Sequence, residues 1–536
     1  MERCDGIILG AGHNALVLQA YLCRMGLKVL ALERASQPGG GLNTIENPRV
    51  PGCLHNLHSF FHRAVTQMRW YRDLELESYG ARYVEPDLNV ALVTSEGRTL
   101  EWWRDFELTV ESFAAFSRRD ADRLRDWRDR FRPIVDQILI PEAHCPPMDP
   151  ERRRQLLERS SLGRLLLETS SLSPLEFVRR EFEHETVQAG LLFFNGLREV
   201  DLRLKGFGHS IPALLASSGK AQMCLGGSAR LAEALVRVIE AHGGQVRCGV
   251  SPRRIVTKRG RAVGVECSNG ETFEGAGFIV SSLNPQQTFV ELLAPSPDTR
   301  ALRERAARYE YNLIAPLMGL HLVLREAPHW LASRQRPELN QAFMTILGLD
   351  RLSQFPDLVE SHEKGQLPDP IAWGAVPSRF DPSQGGGYHT AFLWEKVPYH
   401  LRGDADHWDE IGAERGNRLL ALWRRFAPNL DEGNIVDQFV VTPRDTVRAL
   451  PNMRDGDLLV GSFAHGQVGR HRPFYEAGRY RTPLEGLYLC GGATHPGGNI
   501  TGLPGYNAAL VIANDLHRNP WWESDDLEAR WASLPA

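Results

Sequence analysis

The chain has 536 residues, with 62 Lys and Arg against 66 Asp and Glu; the net charge of −4 gives no general attraction to nucleic acid, and none is expected as a partner. Hydrophobic residues at 42% and charged residues at 24% are those of a folded globular protein long enough for several domains, which excludes disorder. Eight cysteines are too sparse for a disulfide framework, and no C-x-x-C pair exists to suggest a zinc ribbon or a dithiol reductase.

The opening residues read as strand, tight turn, helix, strand. An apolar run at residues 6–9 meets Gly10-Ala11-Gly12-His13-Asn14-Ala15, an apolar-rich helix follows to Met25, Gly26 stops it, and residues 28–32 form a second buried strand. No basic lead-in precedes that first run, so no signal peptide is expected. No apolar stretch reaches 18 residues; the nearest, 313–324, is broken by Pro316 and His321. A soluble cytoplasmic protein is the expectation, with adhesion to a membrane surface left open.

Residues 110–135 place Phe113, Phe116, Leu124, Trp127 and Phe131 at helical spacing. The seven Arg and four Asp between Arg118 and Arg132 read as a solvated face. Residues 151–200 are also helical, with Pro174 at a first-turn position. From Ser228 an apolar stripe (Leu231, Leu235, Val238, Ile239) ends at Gly243-Gly244, and a strand at 245–250 follows. Strands at 255–258 and 262–267 form a meander, Asn269-Gly270 makes a hairpin turn, and 278–280 is a further buried strand. Residues 285–440 carry no readable motif. Residues 487–490 are a strand that enters a glycine-dense loop, then a helix over about 505–516.

The opening turn points to a dinucleotide. Gly10 permits the turn, Gly12 lets a pyrophosphate approach the backbone at the helix N-terminus, and Ala15 is small enough for helix and strand to pack. Glu33 ends the second strand, at the offset of a carboxylate that accepts ribose hydroxyls. Arg34 follows it, and Gly39-Gly40-Gly41 then lets backbone approach the rest of a long cofactor.

On these residues the sequence resembles the phytoene desaturase-like flavoproteins of the amine-oxidase and FAD-linked reductase superfamily. The acid–basic pair Glu33-Arg34, the glycine cluster and Thr44 match that family's FAD site. GLYLCGGATHPGGNITGLPGYNAA at 486–509 is similar to its closing flavin motif, with Gly491, Gly492, Gly502, Leu503 and Pro504 falling at cofactor positions. GGSARLAEAL at 226–235 and Gly249-Val250 resemble the middle FAD segment, where the backbone of Val250 would hold the adenine. PNMRDGD at 451–457 and Arg472-Pro473 resemble the branch that holds desaturase-type carotenoid ketolases and pyridine nucleotide-disulfide oxidoreductase domain protein 2.

The resemblance implies an α/β fold in which a Rossmann-type FAD-binding domain (1–100, 222–290 and 440–520) is interrupted by an α+β substrate-binding domain (101–221 and 291–439), with 521–536 as a C-terminal tail. Two departures stand out. Asn499 replaces a usual glycine, and His55-Asn56-Leu57-His58 occupies a stretch where relatives have Asp and Gly.

His55, His58 and His62 could share a helix face, but no acidic or Cys partner accompanies them, so substrate-pocket or core histidines are expected and no metal site. Ser217-Ser218-Gly219-Lys220 fits S-x-x-K without that class's companion motifs and is set aside. Tyr309, Tyr311, Trp330, Trp373, Phe392 and Trp394 read mostly as core. Gly206-Phe207-Gly208 has no strand before it, so no second Rossmann turn is read.

The resulting reading is an FAD-dependent dehydrogenase or desaturase acting on a C–C or C–N bond of a small, largely apolar substrate, with hydride passing to flavin N5. O₂, a quinone or another diffusible acceptor would take the electrons. His495 is the candidate polar group beside the isoalloxazine, or else a structural loop histidine; His58 and His55 are further catalytic candidates. A flavin amine oxidase and a non-catalytic isoprenoid-binding escort are the alternatives on the same architecture.

Overall fold

The computed structural model describes residues 3–195 and 200–536. Two seven-stranded sheets organise them. In the first, Arg3–Leu9 lies between Val29–Glu33 and Thr272–Ser281, and all three run parallel. Gln245–Cys248 adds a parallel strand beyond Val29–Glu33, and Leu487–Leu489 one beside the end of Thr272–Ser281. Pro252–Lys258 and Arg261–Cys267 extend the sheet as an antiparallel meander.

Both faces of this sheet are covered, which is why its strands are continuously apolar. Ile8 and Ala31 face the same core as the opening helix (His13–Arg24), the middle helix (Ala229–Ala241) and the closing helix (Leu503–Asp515). Ile7, Leu9, Leu30 and Leu32 face the opposite core. The opening helix is buried on all sides, pressed between sheet and neighbouring helices. A Cβ on Gly505 would lie 1.9 Å from the Asn14 carbonyl, so the closing helix reaches the opening one only with glycine there.

The second sheet runs Ile435–Val441, Leu317–Leu324, His389–Lys396, Ala372–Ala375, Met344–Leu347, Leu88–Val93, Thr99–Trp103. Only Leu88–Val93 and Met344–Leu347 pair in parallel. Most of its strands come from the stretch where the sequence showed no motif, and the apolar run near 313–324 is one of them, fully buried. The domain boundaries drawn at 100 and 440 fall inside strands of this sheet, because Thr99–Trp103 pairs with Leu88–Val93 and Ile435–Val441 with Leu317–Leu324.

One face packs on the helix His407–Phe426, where Arg415 and Glu395 form a buried ion pair. The other lies under a helical layer. The segment expected as one helical region is two helices, Phe106–Ala114 and Arg118–Ile134, because Ser117 caps the second by accepting from the Asp120 N–H. Phe113, Leu124, Trp127 and Phe131 are buried as their spacing predicts and Phe116 is half-buried. Most of the Arg/Asp face is solvent-facing and ion-paired, but Asp120, expected there, is fully buried and accepts the Glu183 and His184 N–H groups. Pro174 opens the helix Pro174–Glu181 behind a Ser173–Glu176 capping box. The C-terminal tail is docked: Trp521 stacks on Tyr21, and Trp531 is buried in the helical layer. No helix among the described residues is long and apolar enough to cross a membrane.

Candidate active site

The opening turn behaves as its residues require. Gly10 has φ +86°, and a Cβ there would strike Ser282 Oγ. Gly12 begins the helix with no side-chain cap, no acid in the first turn, and no atom within 4 Å of where its Cβ would stand. The loop Gly39–Gly41 closes over it: the Gly39 N–H donates to the Ala11 carbonyl at 2.8 Å, and Gly40 lies against Gly12. Ala15 is fully buried under this junction. The closing helix begins at Gly502-Leu503-Pro504, and its Gly502 packs on the Trp70 ring. The opening helix thus offers unspent N–H groups and a positive dipole end to the groove above its glycine turn, whereas at the closing helix Thr501 Oγ1 accepts the Leu503 N–H at 3.4 Å and Pro504 has none.

Glu33 does more than wait for a ribose. Its Oε2 accepts from the Ala11 N–H and its Oε1 from the Ala35 N–H, both at 2.8 Å. Each oxygen keeps a lone pair for a further donor. The Val250 N–H donates to the Glu33 carbonyl at 2.9 Å. Arg34 is exposed. Gly41 lies against the Met453 methyl.

Behind the closing loop sits Arg472, fully buried. Its guanidinium donates to the carbonyls of Gly492 (2.9 Å), Ser462 (3.0 Å) and Gly461 (3.1 Å), and it stacks 4.5 Å from the Phe463 ring centre. Asp457, also fully buried, accepts N–H bonds from Asn312, Leu459 and Gly461; burial pushes its carboxyl above the ordinary value. Arg472 braces the loop that carries Gly491 and Gly492, and Asp457 holds the turn at 459–461 that Arg472 also reaches. The Gly491 position allows no Cβ, since one would lie 2.2 Å from the Ser282 carbonyl.

An apolar cavity of about 40 Å³, partly open to solvent, lies against the inner face of the second sheet. Val90, Met344, Ile346 and Trp373 form its floor, with Phe61, Trp102 and Phe193 as walls. Chain segments link groove and cavity. The hairpin Thr44–Glu46/Leu54–Asn56 leaves the Gly39–Gly41 loop, and Asn56 Oδ1 accepts from the Ser228 N–H at 2.8 Å beside the middle glycines. The chain then runs through Phe60 to Phe61 and Arg63 at the cavity wall.

Comparison with known proteins agrees with this geometry. Residues 8–74 match the NAD(P)-binding Rossmann-like domain family. A limonene dehydrogenase polypeptide of Castellaniella defragrans is 30% identical, covering 98% of this chain and 97% of its own. The chain belongs to the phytoene desaturase-like, FAD-dependent oxidoreductases. The rat pyridine nucleotide-disulfide oxidoreductase domain-containing protein 2 is 25% identical over 96% of this chain and 94% of its own. A putrescine oxidase variant shares the fold, with a TM-score of 0.63 at 14% identity, covering 96% of this chain and 99% of that one.

This family assignment makes the chain an oxidoreductase and implies a flavin cofactor. The residues present fit such a group: the uncapped end of the opening helix suits its phosphates, Glu33 its ribose, and the open space above Gly12 its backbone approach.

The three catalytic candidates do not meet. His495 is buried in the closing loop; its Nε2–H donates to the Glu142 carbonyl at 3.3 Å, and burial lowers its pKa against the opposing pull of the Glu142 carboxylate. His55 sits on a strand, not a helix face, edge-on to His321 and Phe439. His58 lies 3.2 Å from Thr446 Oγ1. Burial pushes both down to about 4, so both rings are neutral at pH 7. His62 pairs with the Tyr83 hydroxyl at 2.6 Å, on a separate short strand. No cluster of His, Cys, Asp and Glu among the described residues could hold a metal.

Sequence reasoning missed Lys220, set aside with its S-x-x-K setting. It lines the cavity, as does Trp373, a residue expected as core. It also missed His321, fully buried and stacked on Phe439. Spacing alone offered no signal for either residue, because each is brought to its place by strand pairing.

Proposed function

We propose that the chain binds FAD without a covalent link in the glycine-floored groove and uses it to dehydrogenate a small, largely apolar molecule held in the neighbouring cavity. The observation that carries this reading is the uncapped opening-helix N-terminus at Gly12, with an apolar cavity joined to its glycine loop by residues 44–63. When bound, the flavin supplies the hydride acceptor. The chain's own residues bind, orient and exclude water. Gly10, Gly12 and Ala15 with the closing helix hold the phosphates, Glu33 and Arg34 the ribose region, Val250 the adenine, and Gly39, Gly40, Gly41, Gly491, Gly492, Gly502, Leu503 and Pro504 the remaining backbone approaches. The dipole of the closing helix favours the negative charge of a reduced flavin. We assign His495 the place beside the ring system; His58 and His55, neutral at pH 7, stand outside the cavity lining and keep only a supporting role.

The limonene dehydrogenase relative supports a terpene-sized substrate. Amine oxidation fits less well, since Lys220 and Arg63 line the cavity and would repel an ammonium. Electrons then leave to O₂, a quinone or another diffusible acceptor.

The test is to purify the protein, release its flavin by heat, identify it, and mix the intact protein anaerobically with monoterpenes and with amines of equal size. Bleaching of a yellow protein by an apolar terpene supports the reading. A colourless protein, or bleaching by amines alone, overturns it.

A further inference from the structure

Lys220 is held where an ammonium has little reason to be. It joins the end of the helix Ser210–Ala216 to the strand Ala221–Cys224, and pairing of Arg63 with Ala221 brings Arg63 beside it. The Lys220 side chain is buried in the cavity wall. Of its three N–H donors, one goes to the Ser217 carbonyl at 3.2 Å, and the Nζ stands 5.5 Å from the centre of the Trp102 ring. Arg63 donates to the Phe194 carbonyl at 3.3 Å. Among the described residues neither cation forms an ion pair. The one nearby carboxylate, Glu85, accepts from the Gln222 amide at 2.8 Å, and Arg128 and Arg132 add further positive charge. Asn89, the other polar group on the cavity, has its amide taken by the backbone of Ala221 through bonds of 2.9 and 3.1 Å.

A cation retained in a cavity of aromatic and aliphatic walls is costly unless a ligand neutralises it. We propose that Lys220, with Arg63 beside it, anchors the carboxylate of a small hydrophobic acid whose hydrocarbon part lies against the cavity's apolar walls. This deepens the functional reading above and rests on it: the oxidised bond then lies in the hydrocarbon part, at a fixed distance from the anchored end. Burial, seconded by the Arg63 charge, lowers the Lys220 pKa to about 8, so the anchor is cationic at neutral pH and fades in mild alkali.

The test is binding, read apart from turnover. Decanoate and 1-decanol, matched in chain length, are titrated against the full protein by calorimetry at pH 6.5 and pH 9.5, with flavin content read from the visible spectrum of the same samples. The expected result is decanoate at least tenfold tighter than decanol at pH 6.5. That gap should narrow at pH 9.5 and fall within twofold in Lys220→Met and Lys220→Gln at either pH. Equal affinities in the unaltered protein overturn the proposal, as does a gap that survives in either variant. Thermal melts of both variants establish that they are folded. A colourless sample, or a yellow one that no substrate bleaches, speaks against the functional reading and leaves the anchor to be judged on affinities alone.

Discussion

The His13 ring Nε2–H donates to the backbone carbonyl of Asn499 at 2.9 Å, joining the first turn of the opening helix to the closing loop across 486 residues of chain. Asn499 is the position where the family has another glycine, and it adopts φ +74°. Asparagine tolerates that left-handed conformation better than any other residue with a Cβ apart from aspartate, so the departure keeps the backbone shape.

It follows that Asn499→Gly should retain flavin content and melting temperature. Asn499→Val should lose roughly 1–2 kcal/mol of stability and part of its flavin, since a branched Cβ is strained at positive φ. Chemical denaturation with flavin quantification checks both. Full stability in the valine variant would show that the loop relaxes freely.

Glu33→Ala should weaken FAD binding by roughly 1.5–3 kcal/mol, the range for charged hydrogen bonds. Because the carboxylate also receives the Ala11 and Ala35 N–H groups, the flavin-free protein should melt lower too. Glu33→Gln, which keeps two acceptor sites on one oxygen, should fall between. Differential scanning calorimetry of apo and loaded protein separates the two effects, and an unchanged apo melt would confine Glu33 to the cofactor.

Arg472→Met leaves the carbonyls of Gly492, Ser462 and Gly461 without their donor inside the protein. A loss of about 3 kcal/mol or more is expected, together with flavin loss, because the loop carrying Gly491 and Gly492 is braced by that one side chain. Retention of bound flavin in a folded Arg472→Met protein would contradict this.

His55 and His58, both lowered to about 4 by burial, stay neutral from pH 6 to 9, so the limiting rate of flavin reduction at saturating substrate should be flat across that window in stopped flow. A break near pH 6.5 would implicate an ordinary imidazole. The same burial has a stability consequence. Between 4 and 6.5 the unfolded chain binds more protons at these two sites, so stability is full above pH 6.5 and declines as pH falls towards 4.

Lys220 follows the same sign at higher pH. Its pKa is lowered to about 8 from an unfolded value of 10.5, so the unfolded chain holds more protons between those limits. Stability therefore rises with pH across that interval. Measured against Lys220→Met, which cancels other titrations, the unaltered protein should gain roughly 2–3 kcal/mol between pH 8 and 10.5. Parallel pH profiles for the two proteins would mean the ammonium is not desolvated.

The Rossmann-type sheet and its glycine turn were legible in the residues alone. Their chemistry depends on glycines, an acid and helix starts that lie close together in sequence, and backbone turns impose those spacings whatever surrounds them. The opening strand, helix and strand, the meander and the closing strand and helix all appeared near their expected positions for that reason. The second sheet was not legible. Its strands are drawn from 88–103 and 317–441, and an apolar run buried on both faces has no period that tells strand from helix. The cavity followed the same rule. Lys220 faces Trp102, and Arg63 stands beside it, only because Ala221–Cys224 pairs with His62–Arg63 and Leu88–Val93 with Met344–Leu347. Groups far apart in the chain acquire a shared chemistry through long-range strand pairing and burial, which local spacing does not encode. A lysine that reads as an isolated basic residue in sequence became a desolvated cation in an apolar wall only when tertiary packing excluded water and left it, among the described residues, without an ion pair.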